Sequence, residues 1–251
     1  MRVAMTVGLS AVLLCQLATG AAAGQTLASE ATRREAFVHY RAGQELLSSE
    51  RWDQAAAEFQ AAIALDGLFV DAHYGLGQAY MGASRYASAA QAFSRCLDAA
   101  RSIHGLRDRD RVAVDRQIDD EIRELKDAVR RVASGQIKGQ GALKATQLEQ
   151  RIQDLERSRS SNSGAFEPPA GVLLALGSAH FRNGSRDEAE THWTEAVRVN
   201  AKLGEAWNNL AVIYLQSARK EMAEDAVKRA ERGGFRVNPR LKDDIKRMPG
   251  T

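Results

Sequence analysis

Proline is scarce in this chain, four in 251 residues, and aromatic side chains make up only 6%. With few prolines and only short β-branched runs, Ala, Leu, Glu, Gln and Arg set the local preference, which is helical and argues against an all-β chain. Two cysteines, Cys15 and Cys96, exclude a disulfide-built scaffold. No charge sign dominates: 35 Lys and Arg against 32 Asp and Glu leave +3, too near balance for a nucleic-acid or membrane-surface footprint. Hydrophobic residues are plentiful at 44%, so the chain can bury a core and is not a disordered polymer.

The start of the chain reads as a targeting segment. Arg2 supplies a positive start, and Val3 to Leu17 is apolar apart from Thr6, Ser10, Cys15 and Gln16. Small residues follow, with Ala21 and Ala23 in an Ala-x-Ala arrangement. A membrane-spanning helix needs about 20 predominantly apolar residues, so residues 1–23 are expected to be a cleaved signal peptide rather than a retained anchor. The mature chain is then periplasmic or secreted, keeps Cys96 alone and has no membrane span. Leu14 before Cys15 does not fit the small residue that lipidation requires.

The body repeats. Gly43 and Gly77 stand 34 residues apart (77 − 43), and Tyr40 with Tyr74, Gln44 with Gln78, Ala55 with Ala89 and Phe59 with Phe93 share that spacing. Later, Leu176 with Leu210, Gly177 with Ala211, Ala189 with Ala223 and Ala196 with Ala230 repeat it. Each unit reads as helix, turn, helix, with turns near Arg51-Trp52-Asp53, Arg85-Tyr86 and Asn183-Gly184-Ser185-Arg186. The small residue at 43, 77, 177 and 211 predicts a close helix crossing. Phe59, Phe93 and Trp193 are the plugs that fill it, with the smaller Val227 in the last unit.

These units, 36–69, 70–103, 170–203 and 204–237, resemble tetratricopeptide repeats. The best of them carries Leu76-Gly77, Tyr80, Ala89 and Phe93, and the last carries Trp207, Leu210-Ala211, Tyr214, Ala223 and Ala230. Leu46 and His180 replace the tyrosine in the other two, and the closing proline is missing from all four, Asp66-Gly67 being the nearest substitute turn. The resemblance implies an all-α fold, a helix-turn-helix solenoid in two repeat pairs separated by a helical hairpin insertion.

Gly77 and Gly177 are 100 residues apart (177 − 77), which breaks the register. Ile118, Ile122, Leu125, Val129 and Val132 form one apolar seam, and Ala145, Leu148, Ile152 and Leu155 a second, across a glycine-rich stretch. The simplest fold for them is an antiparallel hairpin; homodimerisation through one seam is the alternative. The expected domains are 1–23 signal peptide, 30–103 first repeat pair, 104–160 hairpin, 161–169 linker, 170–237 second pair and 238–251 capping helix. In the last of these Leu241, Ile245 and Met248 would cover the open end.

No pattern for catalysis, metal or cofactor is legible. The five histidines include no i, i+4 pair and no companion cysteine. Gly75-Leu-Gly77 lacks a preceding strand and a third glycine. Gly139 to Lys144 lacks the Lys-Ser/Thr of a phosphate loop, and Cys96 falls on the small buried position of its unit.

What stacked helix pairs offer is a concave surface lined by the first helix of each unit. The family resemblance places residues five and nine places into a unit on it: Tyr40 and Gln44, then Tyr74 and Gln78. Asn208 and Asn209 offer amides near the equivalent face. Such a ladder could stack on and hydrogen-bond to an extended peptide; the plainer alternative is a relic of duplication. Tyr and Gln stand where carboxylate-clamping members of the family use Lys and Asn, so no such clamp is implied. The expectation is a non-enzymatic protein-binding scaffold. A structural protein dimerising through the hairpin and an accessory subunit of an envelope complex are the alternatives.

Overall fold

The computed structural model describes residues 27–134, 141–158 and 165–249; the expected signal peptide, the hairpin tip and the first part of the expected linker lie outside them. Among the described residues all regular structure is helical. The first pair of units comprises α1 (Glu30–Ser48), α2 (Trp52–Leu65), α3 (Val70–Gly82) and α4 (Tyr86–Ala133). After α5 (Gly141–Ser158) come α6 (Ala170–Arg182), α7 (Arg186–Val199), α8 (Gly204–Gln216), α9 (Lys220–Arg232) and α10 (Pro239–Arg247).

The turn inside each unit is one motif used four times. Arg51, Arg85, Ser185 and Arg219 donate their backbone N–H to the carbonyls of Leu46, Tyr80, His180 and Tyr214 at 2.8–2.9 Å. The residue before each donor sits at positive φ: Glu50 at 57°, Ser84 at 59°, Gly184 at 89° and Ala218 at 56°. This is a helix C-terminus closed by a left-handed residue, and only one of the four is the glycine that geometry favours. Between units, side-chain turns stand where the family's proline is missing. Asp66 Oδ1 accepts the Leu68 N–H at 3.1 Å, and Asn200 Oδ1 accepts the Lys202 N–H at 3.1 Å.

Glycine meets aromatic plug as the repeat predicts. A Cβ on Gly43 would lie 2.7 Å from the Phe59 ring and one on Gly177 2.5 Å from the Trp193 indole, with Gly77 equally tight against Phe93. Gly75, half of the isolated Gly-x-Gly, has a role the spacing did not disclose: its Cβ would fall 2.5 Å from Phe59, the plug of the preceding unit. Phe59 is wholly buried between these two glycines.

The register breaks in sequence but not in space. α4 packs on α3 and directly on α6, so the third unit stacks on the second. One apolar core joins Phe93, Cys96 and Leu97 of α4 to Val172, Leu173 and Leu176 of α6 and runs on to Val237 and Ile245. At the junction the Arg182 guanidinium lies 5.8 Å from the Tyr86 ring centroid. Register explains why this works. Ala72, Val172 and Ala206 occupy the position that faces the preceding unit and are 0%, 8% and 0% exposed. Val38, at that position in the first unit, is 65% exposed, with no earlier unit among the described residues.

The insertion grows out of this stack without a joint. α4 runs 48 residues, so the expected boundary at residues 103 and 104 falls inside one helix. Beyond the stack Ile118, Ile122, Leu125 and Val129 meet Ile152 and Leu155 of α5, and Glu121–Arg151 and Lys126–Glu156 ion pairs, each at 3.0 Å, flank the seam. The seam is thus filled by its own chain. Phe166 then anchors the return to α4, 5.7 Å from the His104 ring and 5.4 Å from the Arg101 guanidinium. α10 covers the far end through Leu241, Ile245 and Met248, with Asn238 capping its start and Pro239 in the first turn. No helix among the described residues is long and apolar enough to cross a membrane.

Candidate functional site

The first helices of the four units, α1, α3, α6 and α8, carry the expected site residues. Tyr40, Gln44, Tyr74, Gln78, Asn208 and Asn209 are all half-buried. The two tyrosines are packed rather than free. The Tyr40 ring lies 5.0 Å from Phe69 and 5.9 Å from both Phe37 and Phe59, and Tyr74 lies 5.4 Å from Phe93. Burial is the main reason both phenols titrate above the ordinary tyrosine value; Asp71 adds to it at Tyr40, and Cys96 and Glu205 add to it at Tyr74. The Gln44 side chain, one turn on from Tyr40, acts against this rise at Tyr40.

Asn208 takes the register of Tyr40 and Tyr74, while Asn209 takes that of Gly75, the position turned toward the preceding unit. The same register puts Leu174 and Ser178 of α6 and Val212 of α8, all half-buried, on this face. These three share the position of the Tyr/Gln pairs but not their identity, so residue matching alone does not reveal them. Ser178 spends its hydroxyl on the Leu174 carbonyl at 2.8 Å. Glu205, at the start of α8, acts electrostatically on Tyr74 of α3, so the surface of the first pair lies within reach of the second.

The remaining polar groups are structural. His73 is 5% exposed and its Nε2 bonds the Gly67 carbonyl at 3.0 Å, leaving Nδ1 without a partner. At the same register Trp207 donates Nε1–H to the carbonyl of Ala201 at 2.9 Å, again six residues back. His39 pairs with Glu58 at 2.8 Å. His180 and His192 stack across α6 and α7 with centroids 5.3 Å apart; burial first, then the His180 charge, lowers the His192 pKa. Arg219 makes two hydrogen bonds to Glu190, at 2.7 and 2.5 Å, and lies over the Tyr214 ring, tying the fourth unit to the third. Cys96 is buried 3.4 Å from the Val70 carbonyl oxygen, and burial pushes its thiol up to about 12, far from a nucleophile's range. The described residues hold no group of three or more side chains placed to share a metal ion.

Residues 40–102 and 174–235 match the family model described as tetratricopeptide repeat, which supports that family for both repeat pairs. No curated protein matches the chain. Among solved structures it is similar to one described as the hetero-tetramer Cut9-Hcn1 of APC/C, 14% identical over 86% of this chain and 43% of that one, with a TM-score of 0.29. The chain spans less than half of that protein. It is also similar to YrrB, described as a TPR protein with an unusual peptide-binding site, 17% identical over 84% of this chain and 91% of that one, TM-score 0.29. A MamA structure (MSR-1, C2) is 16% identical over 80% and 97%, TM-score 0.27.

Proposed function

We propose that this chain, with tetratricopeptide repeats in both halves, is an exported, non-catalytic scaffold that binds a protein or an extended peptide along α1, α3, α6 and α8. The observation that carries the reading is the packing of α4 on α6, which joins two short surfaces into one of four units. That surface is graded. Phenols and amides at Tyr40, Gln44, Tyr74 and Gln78 line one half; Leu174, Asn208 and Val212 line the other. An extended segment could hydrogen-bond its main chain to the amides and lay apolar side chains on the aliphatic half. Export is supported by Arg2, the apolar stretch from Val3 to Leu17 and the small residues at Ala21 and Ala23.

Affinity capture from the exported fraction tests the reading, with the double variant Gln78→Ala, Asn208→Ala beside the natural chain. A partner retained by the natural chain and lost by the variant, with helix content equal, is the expected result. Retention by both would contradict the groove. Mass analysis of the exported chain is expected to show Gly24 at its start, and an intact Met1 would contradict cleavage.

A further inference from the structure

Two helices overhang the repeat stack at one end. α1 starts at Glu30, six residues before its unit, and α4 continues past residue 103 into the insertion. Between the overhangs, above the α2–α3 turn, lies a cleft of about 450 Å³. Leu27 and Phe37 form one wall, Ile103 and Leu106 the other, and Leu68 and Phe69 the floor. Leu27 is 56% exposed and Phe37 51% exposed. At the register of Phe37 the later units carry Asp71, Gly171 and Glu205, all exposed. An aromatic side chain is therefore held in water at a position that is polar or bare elsewhere, opposite a wall that exists only because α4 does not stop.

The rim is charged. Asp66, Asp71 and Asp110 stand against Arg33 and Arg107, so carboxylates exceed guanidiniums. The Asp71 charge is felt at Tyr40, whose ring touches both Phe37 and Phe69. The cleft is thus continuous with the first groove residue.

We infer that the cleft anchors the same partner that the groove binds. It takes one bulky aliphatic or aromatic side chain of a protein segment, with a neighbouring Lys or Arg meeting the acidic rim, before that segment runs on past Tyr40. The inference rests on the groove reading for the partner's course and on the cleft for its chemistry. Burying exposed aromatic surface supplies the attraction, and the excess of carboxylates sets the sign of the flanking residue.

Selection of displayed random dodecapeptides on the full chain, followed by titration of the synthesised winners, tests it. The expected winners place Leu, Phe or Trp beside Lys or Arg, and lose about tenfold in affinity on Phe37→Asp, the residue the second unit carries there. Leu106→Gln on the opposite wall is expected to act the same way, with unchanged circular dichroism in both. Acidic flanks among the winners, or affinities that both variants leave intact, would overturn the inference. Winners sensitive to Asn208→Ala yet indifferent to Phe37→Asp would leave the groove standing and remove the cleft. A sedimenting dimer dissolved by Phe37→Asp would place a second copy there and overturn the peptide assignment.

Discussion

Gly75 of α3 lies against the ring of Phe59 in α2, so close that a Cβ would sit 2.5 Å from it. The same ring is met from its own unit by Gly43. One side chain therefore locks the helix pair internally and sets the approach of the next pair. Gly75→Val is expected to cost about 1–3 kcal/mol through overpacking, while Gly67→Ala, with nothing within 4 Å of its Cβ, should be near neutral. Urea unfolding of the two variants makes the comparison; equal midpoints would contradict the lock.

Tyr74, a residue of the proposed groove, is also part of the packing. Its ring lies 5.4 Å from Phe93, so Tyr74→Ala is expected to lower stability by about 1–3 kcal/mol, and any loss of binding in that variant would be mixed with it. Tyr74→Phe keeps the ring and removes only the hydroxyl. Its melting temperature should stay within a few degrees of the natural chain, and its partner affinity then reports the hydroxyl alone.

Two histidines, the buried His73 and the half-buried His192, give the fold a pH dependence of definite sign. Burial lowers the folded pKa of His73 and of His192 below the unfolded value near 6.5. Where the unfolded chain holds a proton that the folded chain refuses, stability rises with pH. It is therefore complete above about pH 6.5 and declines as pH falls from there toward the lowered folded values. Melting temperatures between neutral and mildly acidic pH should show this slope, and His73→Leu with His192→Gln should flatten it. An unchanged slope would remove these two groups as its source.

The left-handed residue at Ala218, φ 56°, occupies a turn whose counterpart in the third unit is Gly184. Ala218→Gly relieves a Cβ clash of about 1–2 kcal/mol and gives back part of that in chain entropy. The expected net is a gain of up to about 1 kcal/mol, read as a higher denaturant midpoint. A lower midpoint would contradict the assignment of strain.

Cys96 should be inert in the folded chain. With its thiol pushed up to about 12 and its side chain buried, a maleimide at neutral pH should leave it unlabelled for hours in peptide mass analysis and modify it fully after denaturation. Rapid native labelling would mean that α4 opens away from α3 and α6.

The small residue and plug of each unit were legible because a steric pair leaves two identities at a fixed spacing, as at Gly77 and Phe93. The hairpin was legible because Ile122 and Ile152 belong to apolar stripes with helical period. What the repeat spacing hid was the junction. An insertion whose length is not a multiple of the repeat leaves the period broken, although Ala175 and Ala179 already carried apolar residues where the first unit has the exposed Arg41 and Glu45. That contrast was the available signal that the third unit has a neighbour. Three of the four left-handed positions were hidden for another reason: Glu50, Ser84 and Ala218, unlike Gly184, are not residue types that announce positive φ. The cleft needed coordinates, since its walls come from overhangs far apart in sequence. The half-buried face of the first helices was legible by register, but the packing that claims part of Tyr40 and Tyr74 was not.

The account depends on four units forming one uninterrupted stack across the insertion. Double electron–electron resonance between spin labels at Ser49 and Asn183, and separately at Ala83 and Ser217, measures this directly, because each pair spans two units and crosses the α4–α6 junction. A single narrow distance distribution from each pair is predicted. Broad or multiple distributions from both, with the protein otherwise folded, would mean that the two repeat pairs move independently and that no continuous binding surface exists.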